Sequence, residues 1–428
     1  MTQSLTISRT LFYYCGIVIL AALLIGGSSA QGLWTDHLLY VLFMPLVLIG
    51  FGGIANTRVE PLVAIGVFVM LMVLALQFVP GFGGISATGQ ALFKAPALGR
   101  TVEATIFTIT LTGFMLFVAR LSDLDQSRFV RFFLIGLSAN LVIAFIQRSY
   151  SDARAVIPLL PYETLGGMFA NENHFSALAY CGIVLAGFQF LYLSKSKLLF
   201  FGSLTMIILI LFAVQSRAAM ALSIAMAILS LLVFTGMKRS PMRSTALLLL
   251  MLSIAGAFAW MRREVILYDG RVTFFANTWD AMVANFPFGS GLGSFVLIYP
   301  LYEKDNLITV GFVNQAHNDW LQLGLELGLP FMLLAAVFIV ALLQARYREE
   351  LSSMALLIIG ALALHSLVDF PLRTVGMATL FAYAVGVALS SKPHFTPGVT
   401  TGAGSSAATE RNRQLIAPLI LQEKNKLT

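Results

Sequence analysis

The sequence predicts an all-α polytopic membrane protein of about twelve transmembrane helices, and three observations carry that prediction. Hydrophobic residues make up 58% of the 428-residue chain and charged residues only 11%, against roughly 25% charged in an average soluble domain. Apolar runs of roughly 20 residues, the length that crosses a bilayer as a helix, recur along the chain. Lysine and arginine gather in alternate short loops between those runs, as they do on the cytoplasmic side of membrane proteins. A mean hydropathy of +0.86 leaves too few polar groups to cover a water-soluble surface. Helices are required because hydrocarbon cannot satisfy exposed backbone groups.

The spans follow in order, each pair joined on the inside by a basic segment. Span 11–29 follows Arg9. Spans 38–55 and 61–79 flank Arg58, and 104–119 and 132–147 flank Arg120, Arg128 and Arg131. Spans 173–193 and 198–214 flank Lys195 and Lys197, while 218–236 and 244–260 flank Lys238, Arg239 and Arg243. Spans 329–345 and 352–367 flank Arg346 and Arg348, and 375–391 leads into a tail that begins with Lys392. Both termini are then cytoplasmic. The formal charge of +7 reflects this topology and gives no support for nucleic-acid binding. Residues 1–30 also have the features of a secretory signal, with Ser28-Ser29-Ala30 as a cleavage site; cleavage there leaves the remaining topology unchanged. Residues 1–392 read as one transmembrane domain. Residues 393–428, rich in Gly, Ser, Thr and Ala, read as a flexible cytoplasmic tail. Cys15 and Cys181 both lie in apolar stretches, so neither a disulfide framework nor a cysteine zinc site is expected.

The outer face carries two long segments, 148–172 and 261–328, and its basic residues are mostly arginine, the side chain suited to paired contacts with phosphate. Arg217 sits between two apolar runs with almost no loop between them, which holds its guanidinium at the outer interface as a snorkelling residue or an anion clamp. Arg271 opens a segment in which Phe275, Trp279 and Met282 recur at helical spacing, as in an interfacial amphipathic helix. A helix N-terminus there would add attraction for an anion. The glycines of FGSGLGSF lack the strand that a nucleotide fingerprint requires and read as a turn that lets backbone approach a partner.

The segment AHNDWLQLGLELGLP is the most pointed. Asn318 or Asp319 can cap the helix that follows, and Gly328 and Pro330 punctuate its end. Gln315, Asp319, Gln322 and Glu326 share a polar stripe, for which solvent exposure is the ordinary reason. His317 is a candidate base or a structural histidine. In GGMFANENHFSAL, residues 166–178, Asn171, Asn173 and His174 suit sugar hydroxyls or the capping of span 173–193. His365 and Asp369 stand one turn apart and can pair with each other. His317 with Asp319, and His174 with Glu172, are too few ligands for a metal site, so none is expected.

Taken in order, GGMFANENHF, QSRAAMAL, RVTFFANTWDAM, FPFGSGLGSF, AHNDWLQLGLELGLP and HSLVDFPLR resemble the O-antigen ligase and O-antigen polymerase superfamily, over roughly residues 160–375. The resemblance implies a GT-C-type membrane fold with a periplasmic helical segment at 261–328. It also implies transfer of a glycan from undecaprenyl pyrophosphate to an acceptor hydroxyl on the periplasmic face of the bacterial inner membrane. Arg217 and Arg271 would hold the pyrophosphate and His317 would activate the acceptor. Asn171, Asn173, His174, Asn318, Asp319, Glu326, His365 and Asp369 would support the site or the glycan. The implied enzyme is an inverting glycosyltransferase that needs no metal or other cofactor. Its partners would be the lipid-linked donor, a glycan or lipid A core acceptor, membrane lipids, and a chain-length regulator or flippase. Segment 261–328 departs from the pattern in lacking an obvious additional domain, which leaves acceptor recognition open. The rival class is a transporter or flippase. Transporters place ionisable groups near the midplane, whereas here they gather at one face.

Overall fold

The computed structural model describes residues 5, 7–30, 32–53, 61–78, 95–150, 153–157, 165–214, 217–235, 270–303, 313–344 and 350–390. Span 244–260, the first residues of segment 261–328 and the tail from 391 lie outside them. The chain divides into two units, Met1–Ser391 and Lys392–Thr428. The described residues of the first form helices joined by turns, with no β-strand beyond an isolated bridge of Leu5 to Leu121.

The helices, in chain order, are α1 (Arg9–Ile25), α2 (Trp34–Gly52), α3 (Pro61–Leu76), α4 (Ala95–Arg120), α5 (Asp123–Ser149) and α6 (Glu172–Ala186), which runs on as a π-helical turn over Gly187–Leu193. Then come α7 (Lys197–Val214), α8 (Arg217–Phe234), α9 (Gly270–Ala284), α10 (Phe295–Ile298), α11 (Asp319–Leu327), α12 (Leu329–Gln344), α13 (Glu350–His365) and α14 (Val375–Ala388). Among the described residues, five helices are long and apolar enough to cross a membrane: Trp34–Gly52, Leu98–Arg120, Asp123–Ser149, Glu172–Leu193 and Lys197–Val214. The apolar runs at 11–29, 61–79, 218–236, 329–345, 352–367 and 375–391 are also helical, but shorter.

Helices α4 and α5 extend beyond the spans expected at 104–119 and 132–147. In α5 the reason is an N-cap: Ser122 Oγ accepts from the Asp125 N–H at 3.2 Å, and Asp123 and Asp125 occupy the first turn, where acids suit the helix dipole. Arg128 and Arg131 therefore ride on the helix instead of a loop.

Two helices form the centre. In α6 every residue from His174 to Ala186 is buried, as expected of a helix that is apolar all round; it packs on α5, α7, α8 and α13. Helix α14 is buried almost as fully and packs on α1, α4 and α13. Close backbone approach is built in by glycine: a Cβ on Gly50 of α2 would lie 2.1 Å from the Gly113 carbonyl of α4, in keeping with small residues at membrane-helix interfaces. Apolar side chains such as Phe145, Leu209 and Phe212 point outward, a surface suited to lipid.

Both central helices begin at one end of the bundle, where α13 ends. The opposite end holds the C-terminus of α4 and the start of α5, fastened by a bond from Arg120 to the Ile49 carbonyl and by Tyr383 Oη donating to the Gln126 carbonyl at 2.7 Å. The basic group Arg120, Arg128 and Arg131 and the polar cluster described next thus occupy opposite ends.

Candidate active site

The site is built around one buried carboxylate. Asp369 lies in the turn after α13 and is 0% exposed. Asn173 Nδ2, at the first turn of α6, donates to its Oδ2 at 2.7 Å, and the Phe370 backbone N–H donates to Oδ1 at 3.0 Å. Arg271 Nη2 reaches Oδ2 at 3.7 Å, His317 Nδ1 stands 3.4 Å from Oδ1, and His174 Nε2 stands 4.0 Å from it. Burial alone would raise the Asp369 carboxyl, but its contact with His317 and the charges of His174, Arg271 and His365 hold it well below the usual carboxylate range. The group is therefore an anion that gathers cations and donors from four chain segments.

The arrangement follows from local structure. Asn171 caps α6 by accepting from the Asn173 backbone N–H at 2.8 Å, and the Asn173 side chain extends from this first turn to Asp369. The loop before α6 is pinned from α5: Gln147 exchanges two bonds with the Gly167 backbone and Asn140 Oδ1 accepts from Met168 N–H at 2.9 Å. Asn140 and Gln147 have no motif around them, and only their place on an apolar helix distinguishes them in the sequence. Arg271 is anchored by a 2.9 Å bond from Nη1 to the Val368 carbonyl.

His317 has a φ of 53°, a left-handed conformation that a non-glycine residue adopts at a cost of about 1–3 kcal/mol when its surroundings hold it there. On its N-terminal side the Ala316 N–H donates to Gln322 Oε1 at 2.9 Å. On its C-terminal side Asn318, not Asp319, caps α11 by accepting from Leu321 N–H at 3.0 Å. Phe274 stacks on the imidazole with centroids 5.7 Å apart, and Phe370 meets it edge-on at 4.7 Å. Phe370 also contacts the His174 ring at 4.8 Å.

Several expectations are corrected here. The expected stripe is not solvated: Gln315, which precedes α11, and Asp319, Gln322 and Glu326 on it are all buried, with the two acids against Arg373. Arg373 Nε donates to Asp319 Oδ1 at 3.0 Å and Nη1 to Glu326 Oε2 at 3.4 Å. Ser366 Oγ donates to Asp319 Oδ2 at 2.9 Å, and Gln322 links Gln315 to Glu326. Burial raises the Asp319 carboxyl in spite of Arg373, and the two acids raise Arg373 in spite of its burial. Asp319 and Glu326 therefore brace the His317 loop from behind instead of facing its ring. His365 bonds through Nδ1 with Tyr180 Oη at 2.9 Å, tying α13 to α6. In α9 the buried side is Asn277, Thr278, Ala281 and Met282, whereas Trp279 is 56% exposed. Of the Phe275–Trp279–Met282 stripe, Met282 packs inside with α11 and Trp279 faces outward, where an interfacial helix presents its aromatics.

The glycine turn has its partner within the chain. Gly289 and Gly291 have φ of 77° and 100°, and the backbone N–H groups of Ser290 and Gly291 donate to the Leu325 and Glu326 carbonyls, each at 2.9 Å. The turn so closes the C-terminus of α11, whose carbonyls lack intrahelical donors. Arg217 opens α8, which packs on α6 and α13; its side chain lies outside the described residues, as do residues 215–216 of the hairpin. Among the described residues, no group of three His, Cys, Asp or Glu side chains is arranged to hold a metal ion.

Residues 201–336 match the family model described as O-antigen ligase. No curated protein matches the chain. The matched stretch, under half of the chain, contains Arg217, Arg271 and His317. Asn173 and His174 lie before it, and Asp369 and Arg373 after it.

Proposed function

The chain carries the O-antigen ligase family domain, and from that premise we propose that it is a membrane glycosyltransferase of polysaccharide biosynthesis. In this reading it transfers a glycan from undecaprenyl pyrophosphate to an acceptor hydroxyl at the outer face of the inner membrane. It has about twelve spans in a GT-C-type arrangement, with both termini in the cytoplasm. The observation that carries the reading is the bridging of His317 and Arg271 by one buried carboxylate. A proton acceptor and an anion-binding group thereby stand side by side. The placement of Arg120, Arg128 and Arg131 at the other end of the bundle supports an outward-facing site, since basic ends stay inside.

The acceptor oxygen attacks the anomeric carbon and the bond to pyrophosphate breaks, so a single displacement inverts the configuration. His317 Nδ1 stands 3.4 Å from Asp369 Oδ1, and the carboxylate's charge favours the tautomer protonated on Nδ1, which leaves Nε2 unprotonated and able to receive the acceptor proton; base catalysis of this kind contributes about 10²–10⁴ in rate. Arg271 meets the charge that grows on the departing pyrophosphate, and Arg217, at the head of α8, is assigned the same work. Guanidinium groups beside low-dielectric lipid act more strongly than in water. Asn171 and Asn173 lie at the same end, where side-chain amides suit hydroxyl groups, with the buried His174 imidazole beneath them. The decisive experiment is purified protein with polyprenyl-pyrophosphate glycan, with and without acceptor. Release of pyrophosphate lipid coupled to glycan transfer is expected; donor binding without transfer to any acceptor would refute it.

A further inference from the structure

A second site lies on the other side of the Arg373 brace. A chamber of about 450 Å³ runs between α3 and α12 on one side and α4 and α14 on the other, well within the roughly 300–1,000 Å³ of small-ligand pockets. Its walls are apolar, with Met70, Phe107, Leu111 and Phe338 among them. Along α4 its lining runs from Glu103 to Met115, about 18 Å at the helical rise. That is roughly half the thickness of a bilayer core, the reach of one lipid chain from one leaflet.

The mouth is polar and acidic. Asp36 is 6% exposed, lines the chamber, and its buried Oδ1 has no hydrogen-bond partner. Such an atom in a native fold calls for a ligand or water. Glu103 stands beside it, 3.8 Å from His37 Nε2, and Gln315 lines the same rim. Arg373 also faces the chamber, but its charge is matched by Asp319 and Glu326, while its buried Nη2 has no partner. Carboxyl and amide oxygens accept from hydroxyls, whereas a surplus of acid opposes a phosphate group.

We infer that this chamber binds a neutral single-chain glycolipid, its chain inside the bundle and its sugar hydroxyls on Asp36 and Glu103. The acids at the mouth oppose a phosphate-bearing lipid and accept from sugar hydroxyls, and the lining of about 18 Å along α4 matches the length of one chain. That such a lipid serves as the acceptor rests on the proposed transferase reading; its binding does not.

Trp320 lines the chamber and supplies the probe. The full-length protein with Trp34, Trp260 and Trp279 replaced by Phe is placed in saturated-phosphatidylcholine nanodiscs and titrated with an alkyl glucoside brominated at the chain end. Saturable quenching is expected, displaced by the unbrominated glucoside at least tenfold better than by an alkyl phosphate of equal chain length. The Asp36→Asn, Glu103→Gln pair should weaken glucoside binding about tenfold, the scale of one hydrogen bond to a charged group, and strengthen alkyl phosphate binding. Ala335→Phe, which fills the bore, should abolish quenching and serves where the double variant does not fold. Equal competition by the phosphate, or unchanged quenching in either variant, overturns the inference. Failure of glycan transfer with quenching intact removes only the acceptor role.

Discussion

Replacing Asp369 by Asn isolates what the buried carboxylate does. The substitution keeps the volume and leaves one oxygen for Asn173 or the Phe370 N–H, so the backbone turn survives. It also places an NH₂ group among neighbours that are all donors or cations: Asn173 Nδ2 at 2.7 Å, His317 Nδ1 at 3.4 Å and Arg271 Nη2 at 3.7 Å. An amide N–H turned toward His317 would donate to Nδ1 and hold the ring as the Nε2–H tautomer, which cannot receive the acceptor proton. The whole contribution of the base is then lost, about 10²–10⁴ in kcat. The same exchange behind the histidine of a serine-protease triad costs about 10⁴. Arg271 loses its anionic neighbour, so affinity for the donor should not fall. The assay is steady-state transfer in nanodiscs from a polyprenyl-pyrophosphate glycan, with donor binding measured separately and folding checked by thermal unfolding. In a cycle with His317→Ala, the second substitution should add little, because both remove one function. Activity within about threefold of wild type, or full multiplication of the two losses, would refute the coupling.

Further expectations follow from the same geometry. Asp369 is held below its unfolded value near about 3.9, so its stabilisation is present above that value and lost only as pH falls through its lower folded value. The gap in unfolding midpoint between wild type and Asp369→Asn should therefore not narrow from about pH 8 to about pH 5; convergence over that range would contradict the assignment. Arg373→Met should cost about 3–5 kcal/mol by leaving Asp319 and Glu326 buried without their cation. Because Asp319 is already raised by burial, its penalty grows as pH rises through its folded value, so the deficit should shrink in acid. A pH-independent deficit in thermal unfolding would count against this pairing. Gly289→Ala would bring a Cβ to 2.5 Å from the Glu326 carbonyl at a φ of 77°. A loss of about 1–3 kcal/mol is expected from such strain, and an unchanged melting temperature would show that the turn can move. Arg271→Lys should lower transfer while His317 is intact, since a point charge lacks the fork of guanidinium donors; normal turnover would remove Arg271 from the anion site.

Much of this molecule could be read from local pattern. Apolar runs mark helices because hydrocarbon forbids open backbone groups, and that logic found α1 to α8 and α12 to α14, though α4 and α5 begin nine residues before their apolar runs. Arg271 and His317 stood out as ionisable residues at the starts of helical patterns in the outer segment, and Asn173 and Asp369 as polar residues at the ends of apolar spans, where such residues are expensive. What stayed hidden was who meets whom. His365 and Asp369 are one turn apart, yet Asp369 faces Asn173, Arg271 and His317 from distant segments while His365 turns to Tyr180. Arg373 was one outward arginine among several, and its role arises only where α11 and the α13–α14 turn close around it. The stripe on α11 looked solvated because periodicity reports which residues share a face and not what covers it.

The sequence by itself determined the helical class, the order of the apolar helices and the short list of chemical groups, because each depends on properties carried by a few neighbouring residues. The tertiary structure alone decided that one buried carboxylate would join His317 to Arg271, and that the stripe behind them would be a dry brace around Arg373. It alone also decided that an apolar chamber would open beside that brace. Those outcomes depend on long-range packing of α6, α13 and α14, where charge is stabilised by partners far away in the chain.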